Sequence, residues 1–126
     1  MQFQCESLVI HCMDYRIQEH LNRWLEKDFP AQSYDRVAIA GGVYDLDYVI
    51  GQVGLAIKLH KINRVVLVNH EDCGAYGAAG TCERHKMDLE EAKRKIKILF
   101  PDLDVETYYL HLDGIFEKLT GPNLGE

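Results

Sequence analysis

Long hydrophobic runs are missing from this chain of 126 residues: no unbroken apolar stretch approaches the ~20 residues that a membrane helix needs. The segment "MQFQCES" lacks a basic stretch followed by an apolar one, so no secretory signal is expected and the cytoplasm is the expected location. Positive charge is in deficit, with 14 Lys and Arg against 20 Asp and Glu and a formal net charge of −6. The one dense basic patch, "KRKIK" at 93–97, lies on a helix whose first half is acidic, which suits a solvated face and its dipole. Neither nucleic acid nor a membrane is expected as a partner. Glycine signatures of nucleotide binding are absent too. Gly41, Gly42, Gly74, Gly77 and Gly80 form neither a dinucleotide fingerprint nor a phosphate loop. No internal repeat, low-complexity linker or composition break divides the chain, so residues 1–126 are expected to form a single domain.

What is present is an ordinary globular composition, 47% hydrophobic and 27% charged, in a chain long enough to bury a core without disulfides. The four cysteines are Cys5, Cys12, Cys73 and Cys82. In a domain of this size without a secretion signal, metal binding or catalysis is the better reading of them than a disulfide framework.

Strand and helix patterns alternate. A strand over about Leu8–Cys12 leads to a helix with Ile17, Leu21, Trp24 and Leu25 on one face, ended by Pro30. "RVAIAGG" is a second strand, and "DLDYVIGQVGLAIKLHK" a second helix with Leu46, Val49, Ile50, Val53, Ile57 and His60 inward. "RVVLVNH" is the third strand, apolar on both faces as a central parallel strand requires. After the loop "DCGAYGAAG", a third helix is expected from about Asp88, where Asp88 and Glu91 have capping-box spacing, with Leu89, Ala92, Ile96 and Leu99 inward. "VETYYLHL" is a fourth strand, "GIFEKL" a turn of helix, and "TGPNLGE" a frayed tail. The fold class expected is α/β, a doubly wound open parallel sheet of four strands in order 2-1-3-4 with flanking helices. Strands one and three are then neighbours, and ligands bind outside their carboxyl ends.

Those two ends carry "HCMDYR" and "NHEDCG". Sheet spacing of about 5 Å brings Cys12, His70 and Cys73 together. Two thiolates and an imidazole match the soft tetrahedral preference of zinc, and three protein ligands leave a fourth position for water. Two thiolates donate more charge than imidazoles, so a weaker Lewis acid and an alkaline activity preference are expected. Asp14 beside such a site would occupy the open position unless something held it. Arg16, two residues on, has the guanidinium to do so and to keep the carboxylate ionised, ready to orient the reactive water.

Cys-x-Asp-x-Arg after a first strand and His-x-x-Cys-Gly after a third resemble the signature of the β-class carbonic anhydrases, at Cys12, Asp14 and Arg16, then His70, Cys73 and Gly74. "AGG" at 40–42 and Asp72 are similar to residues found there in that family, and the likeness runs from about Ser7 to Leu112. The resemblance implies strand order 2-1-3-4, one Zn2+ per subunit, and assembly as a homodimer or higher homo-oligomer. It implies reversible hydration of carbon dioxide to bicarbonate by zinc-bound hydroxide, with Asp14 and Arg16 catalytic and Cys12, His70 and Cys73 on the metal. Tyr15 stands where the family usually has Ser, and Glu71 where it has Ser or Thr, changes that touch the substrate pocket rather than the metal.

Other readings compete. The same site could hydrolyse carbon disulfide or carbonyl sulfide, or serve a non-catalytic zinc or bicarbonate-binding protein closed by Asp14, or belong to a thiol redox enzyme. Asp14 could cap the first helix. Cys73, Cys82 and His85 could hold metal with His70 or Cys12, a weaker arrangement because no strand end places Cys82 and His85. Cys5 reads as incidental, His11 as facing away from Cys12, and His20, His60 and His111 as lacking partners. Tyr44 and Tyr48 either wall the pocket or pack.

Overall fold

A computed structural model describes residues 4–119. Five strands, β1 (Ser7–His11), β2 (Tyr34–Ala38), β3 (Arg64–His70), β4 (Asp104–Leu110) and β5 (Phe116–Leu119), form one sheet in the order β2-β1-β3-β4-β5. The first four are parallel, as the alternating pattern requires, and β5 runs antiparallel to β4. Helices α1 (Gln18–Asp28), α2 (Leu46–His60) and α3 (Cys82–Leu99) connect them. Among the described residues no helix is long and apolar enough to cross a membrane.

The pleat divides the core into two layers. Leu8, Ile10, Val65 and Leu67 pack with Val49, Val53 and Ala56 of α2 and with Leu89, Ala92 and Ile96 of α3. Val9, Val66, Val68 and Leu110 pack with Ile17, Leu21 and Leu25 on the other face. Residues 65–68 of β3 are fully buried, each contributing about 1.5–3 kcal/mol of burial, so this strand anchors both layers. Leu8 of β1 pairs with Val65 and His11 with Val68, while β3 continues to His70 opposite Leu110. Hence Cys12, just past β1, emerges beside the end of β3.

Four expectations need correction. The turn of helix expected in "GIFEKL" is instead β5, which adds a fifth strand to the expected four. Gly114 at φ +96 closes the hairpin, His111 N–H donates to the Ile115 carbonyl at 2.9 Å, and Phe116 stacks on Trp24 at 4.3 Å. The Asp-Gly pair at 113–114 is the hairpin signal that identifies it. The third helix begins at Cys82 and not near Asp88, because the Thr81 hydroxyl accepts from Arg84 N–H at 3.1 Å and caps it there. Asp88 is spent on Arg84 and Tyr76 instead. Leu99, expected inward, is 54% exposed at the helix's last position. His60 and His111 do have partners, Asp35 and Glu117. The expected tail "TGPNLGE" lies outside the described residues.

Candidate metal centre

The chain leaves β1 at His11 and turns sharply. The Met13 N–H donates to the Ile39 carbonyl at 3.3 Å, and Gln18 reaches back to the carbonyls of Cys12 and Asp14 at 3.1 and 2.7 Å. Cys12 Sγ is held inside, 3.9 Å from Cys73 Sγ, with Gly41 N–H donating to it at 3.3 Å. His70 ends β3 fully buried, and its Nδ1–H donates to the Glu71 carbonyl at 2.7 Å. Its Nε2 is thereby the atom left to face the sulfurs. One ligand atom each from Cys12, His70 and Cys73 falls within 4.8 Å of the others.

The electrostatics fit a cation-binding cradle. Burial alone would push the Cys12 thiol up, but contacts with His70 and with backbone N–H groups bring it down to about 7. Burial opposes charging of His70, yet its contacts to Cys12 and the Glu71 carbonyl raise it. Burial and the adjacent Cys12 push the Cys73 thiol up. These opposed shifts follow from crowding two thiols and an imidazole together, and a doubly charged ion would satisfy all three groups. His70 Nε2 is buried with no hydrogen-bond partner, a costly state that a metal bond relieves. Tetrahedral zinc with Zn–S bonds of about 2.3 Å sets its sulfurs about 3.8 Å apart. The observed 3.9 Å fits.

Asp14 lies at the rim of this cradle. Its Oδ2 is 3.8 Å from His70 Nε2 and 2.8 Å from Arg16 Nη2, while Arg16 Nε is 3.2 and 3.3 Å from the two carboxylate oxygens. Arg16 is braced in turn by the Asp72 carbonyl at 2.7 Å and its carboxylate at 3.1 Å. The Arg16 side chain, against the cost of partial burial, holds the Asp14 carboxyl down to about 2. Asp14 also accepts Arg16 N–H at 2.8 Å and caps a short 3-10 turn over Tyr15–Ile17, so the capping geometry is present alongside the guanidinium clamp. Tyr15 projects outward, 86% exposed.

The "AGG" stretch reaches the centre through Gly41 N–H on Cys12 Sγ, and its glycines have a steric reason. Gly42 has φ +62, and a Cβ there would lie 2.4 Å from Asn69 Oδ1 and 2.9 Å from the Val68 carbonyl. Asn69 Oδ1 is already committed to Val43 N–H at 3.1 Å. Gly42→Ala is therefore expected to cost about 2–4 kcal/mol, from left-handed strain plus a disturbed buried hydrogen bond. Urea unfolding of the variant measures it.

The rival cluster does not assemble. Among the described residues, Cys82 and His85 join no group of three converging ligand atoms; Cys82 is exposed at the start of α3. His85 is fully buried on the inner face of α3, in line with Leu89, Ala92 and Ile96, and was missed as a core residue because a polar side chain breaks the apolar count. Its Nδ1 accepts from Asn69 Nδ2 at 2.9 Å, and Asn69 also donates to Tyr76, whose hydroxyl donates to Asp88. His11 is likewise buried, accepting from Arg36 Nε at Nε2 and donating from Nδ1 to the Cys12 carbonyl. Tyr44 packs edge-on to Tyr76 at 4.7 Å while staying 53% exposed.

Burial, then the charge of His70, lowers His85 to about 4. Its folded pKa lies below the unfolded value near ~6.5, so the unfolded chain binds the extra proton between those values. Stability is full above about pH 6.5 and falls as pH drops toward 4, by up to about 3 kcal/mol. His85→Gln should flatten that part of the stability profile in urea titrations from neutral to acid pH.

A protein-family model described as "Putative carbonic anhydrase" matches residues 2–120. A Rickettsia bellii protein described as uncharacterized is 24% identical over 135 residues, covering 92% of this chain and 82% of its own. The carbonic anhydrase from Streptococcus mutans superposes with a TM-score of 0.62 at 20% identity, covering 94% of this chain and 84% of that one. The β-carbonic anhydrase isoform I of Trichomonas vaginalis gives 0.67 at 12% identity, covering 93% and 83%. At these identities the superpositions speak to the fold.

Proposed function

The chain belongs to the putative carbonic anhydrase family, as a divergent relative of the β-class enzymes, and from that premise we propose that it is a zinc lyase hydrating carbon dioxide reversibly to bicarbonate. Cys12, His70 and Cys73 would hold one Zn2+, with Asp14 and Arg16 as the catalytic pair. The observation that carries this reading is the convergence of three buried donors around an imidazole nitrogen with no other partner.

A zinc ion held there would supply Lewis acidity and ease the deprotonation of water to a nucleophile. The protein's own groups do the rest. Asp14, ionised at any physiological pH, offers an acceptor for the proton of the reacting water and so fixes the direction of its lone pair. Arg16 keeps that carboxylate on the rim by binding both of its oxygens, and Asp72 keeps Arg16 in place. Hydration releases one proton for each bicarbonate formed. With a pKa of about 2, Asp14 is too weak a base to retain it, so the proton passes to buffer.

We read residues 1–126 as a single domain that works as a homodimer or larger assembly. Supporting the second point, Tyr48, Leu55 and Leu59 are 43%, 48% and 59% exposed on one stripe of α2, an apolar face of the kind that subunits cover.

Stopped-flow hydration assays on zinc-loaded and chelator-stripped protein at mildly alkaline pH test the activity. Zinc-dependent hydration is expected. Zinc-loaded protein that is inactive rejects the assignment, and sulfide release from carbon disulfide by that same protein would select the alternative hydrolase reading.

A further inference from the structure

At the opposite end of the sheet a second set of unlike donors meets. Cys5 lies just ahead of β1, Asp35 near the start of β2, and His60 at the end of α2, with one ligand atom of each within 4.8 Å of the others. Six residues of near-extended chain separate Cys5 from Cys12, roughly 20 Å, so this cluster is distinct from the one above.

The backbone builds this meeting place. Cys5 N–H donates to the His60 carbonyl at 3.0 Å, and Glu6 N–H donates to the Ser33 carbonyl at 2.9 Å. The Glu6 carbonyl accepts from both Asn63 and Arg64 N–H, at 2.9 and 3.1 Å. Three chain segments are therefore fixed relative to one another before any ligand arrives. Lys61, in the left-handed region at φ 53, ends α2 with its N–H on the Ile57 carbonyl and so sets the direction of His60. The side chains agree with that frame: Asp35 Oδ2 lies 2.6 Å from His60 Nδ1, and both groups are about a third exposed at 30% and 35%. Cys5 is half-buried beside them.

We propose that Cys5, Asp35 and His60 form a second divalent-cation site, matched to zinc, with the remaining coordination position left to water. One thiolate, one imidazole and one carboxylate are each ordinary zinc ligands, whereas magnesium and calcium take oxygen and reject the sulfur. Zinc bonds of about 2.0–2.3 Å place ligand atoms about 3.3–3.8 Å apart. The Asp35–His60 contact opens slightly on binding and the longer separations close, changes within reach of side-chain rotation. The site reaches solvent, so the ion has a way in. Bound, it would tie the segment before β1 to β2 and to the end of α2.

Zinc titration of the chelator-stripped full chain, with unbound metal removed by gel filtration, tests the proposal. Two zinc ions per chain are expected for the parent and one each for Cys5→Ser and His60→Gln. Cys12→Ser should also retain one, held here. A parent with a single zinc that Cys12→Ser loses and Cys5→Ser keeps overturns this site. A parent with a single zinc showing the reverse pattern supports it and rejects the other. Peptide-resolved alkylation with iodoacetamide avoids substitutions altogether. Zinc should protect Cys5 while exposed Cys82 reacts with or without it, and equal alkylation of Cys5 in both conditions overturns the proposal.

Discussion

Cys12→Ser is expected to strip the zinc from the centre at the sheet's carboxyl end and to remove carbon dioxide hydration with it. The substitution is nearly isosteric, so the fold stays. The chemistry does not, because a serine hydroxyl keeps its proton at neutral pH, whereas the Cys12 thiol is drawn down by His70 and backbone N–H groups and so yields its proton to a metal far more readily. Loss of an outer-shell partner alone costs roughly 10–100-fold in metal affinity or activity, and a direct ligand should exceed that. Equilibrium zinc competition with a chromogenic chelator, alongside circular dichroism to verify folding, measures the effect. Measured in a Cys5→Ser background, which removes the second site, retained affinity would mean that Cys12 is a buried thiol and nothing more.

Arg16→Ala has an equally large but opposite signature: hydration falls at least ~100-fold while zinc stays bound. Four hydrogen bonds from the Arg16 backbone and side chain hold Asp14, three of them from the guanidinium. Without the guanidinium, a carboxylate whose oxygen already lies 3.8 Å from His70 Nε2 is free to swing onto the metal and fill the position that water needs. Zinc affinity should hold or rise as activity falls. Asp14→Asn separates the two contributions, since an amide cannot serve as a carboxylate ligand but also fails as a proton acceptor. Equal losses of zinc and activity in Arg16→Ala would show that Arg16 merely supports the fold.

Much of the architecture was legible because the physics behind it is periodic. Val65–Val68 announced a strand buried on both faces, and the alternation of strands with helices led to parallel pairing in the order that places β1 beside β3. The meeting of Cys12, His70 and Cys73 followed from that order, because neighbouring strand ends juxtapose residues far apart in the chain. What escaped notice depended on single contacts. Thr81 starts α3 early through one hydroxyl, and Gly114 turns the chain into a hairpin through one backbone conformation. His85 lies in the core because Asn69 satisfies it, a partner on another element that no local pattern reveals. Cys5 read as incidental and His60 as lacking a partner for the same reason, since only the pairing of β1 with β2 and the end of α2 brings them to Asp35.

Anomalous diffraction at the zinc edge, from zinc-loaded crystals of the full chain, tests the central claim most directly. A peak is expected within bonding distance of Cys12 Sγ, His70 Nε2 and Cys73 Sγ together. Zinc-loaded crystals with no peak among those three atoms would contradict it, whatever metal they held elsewhere.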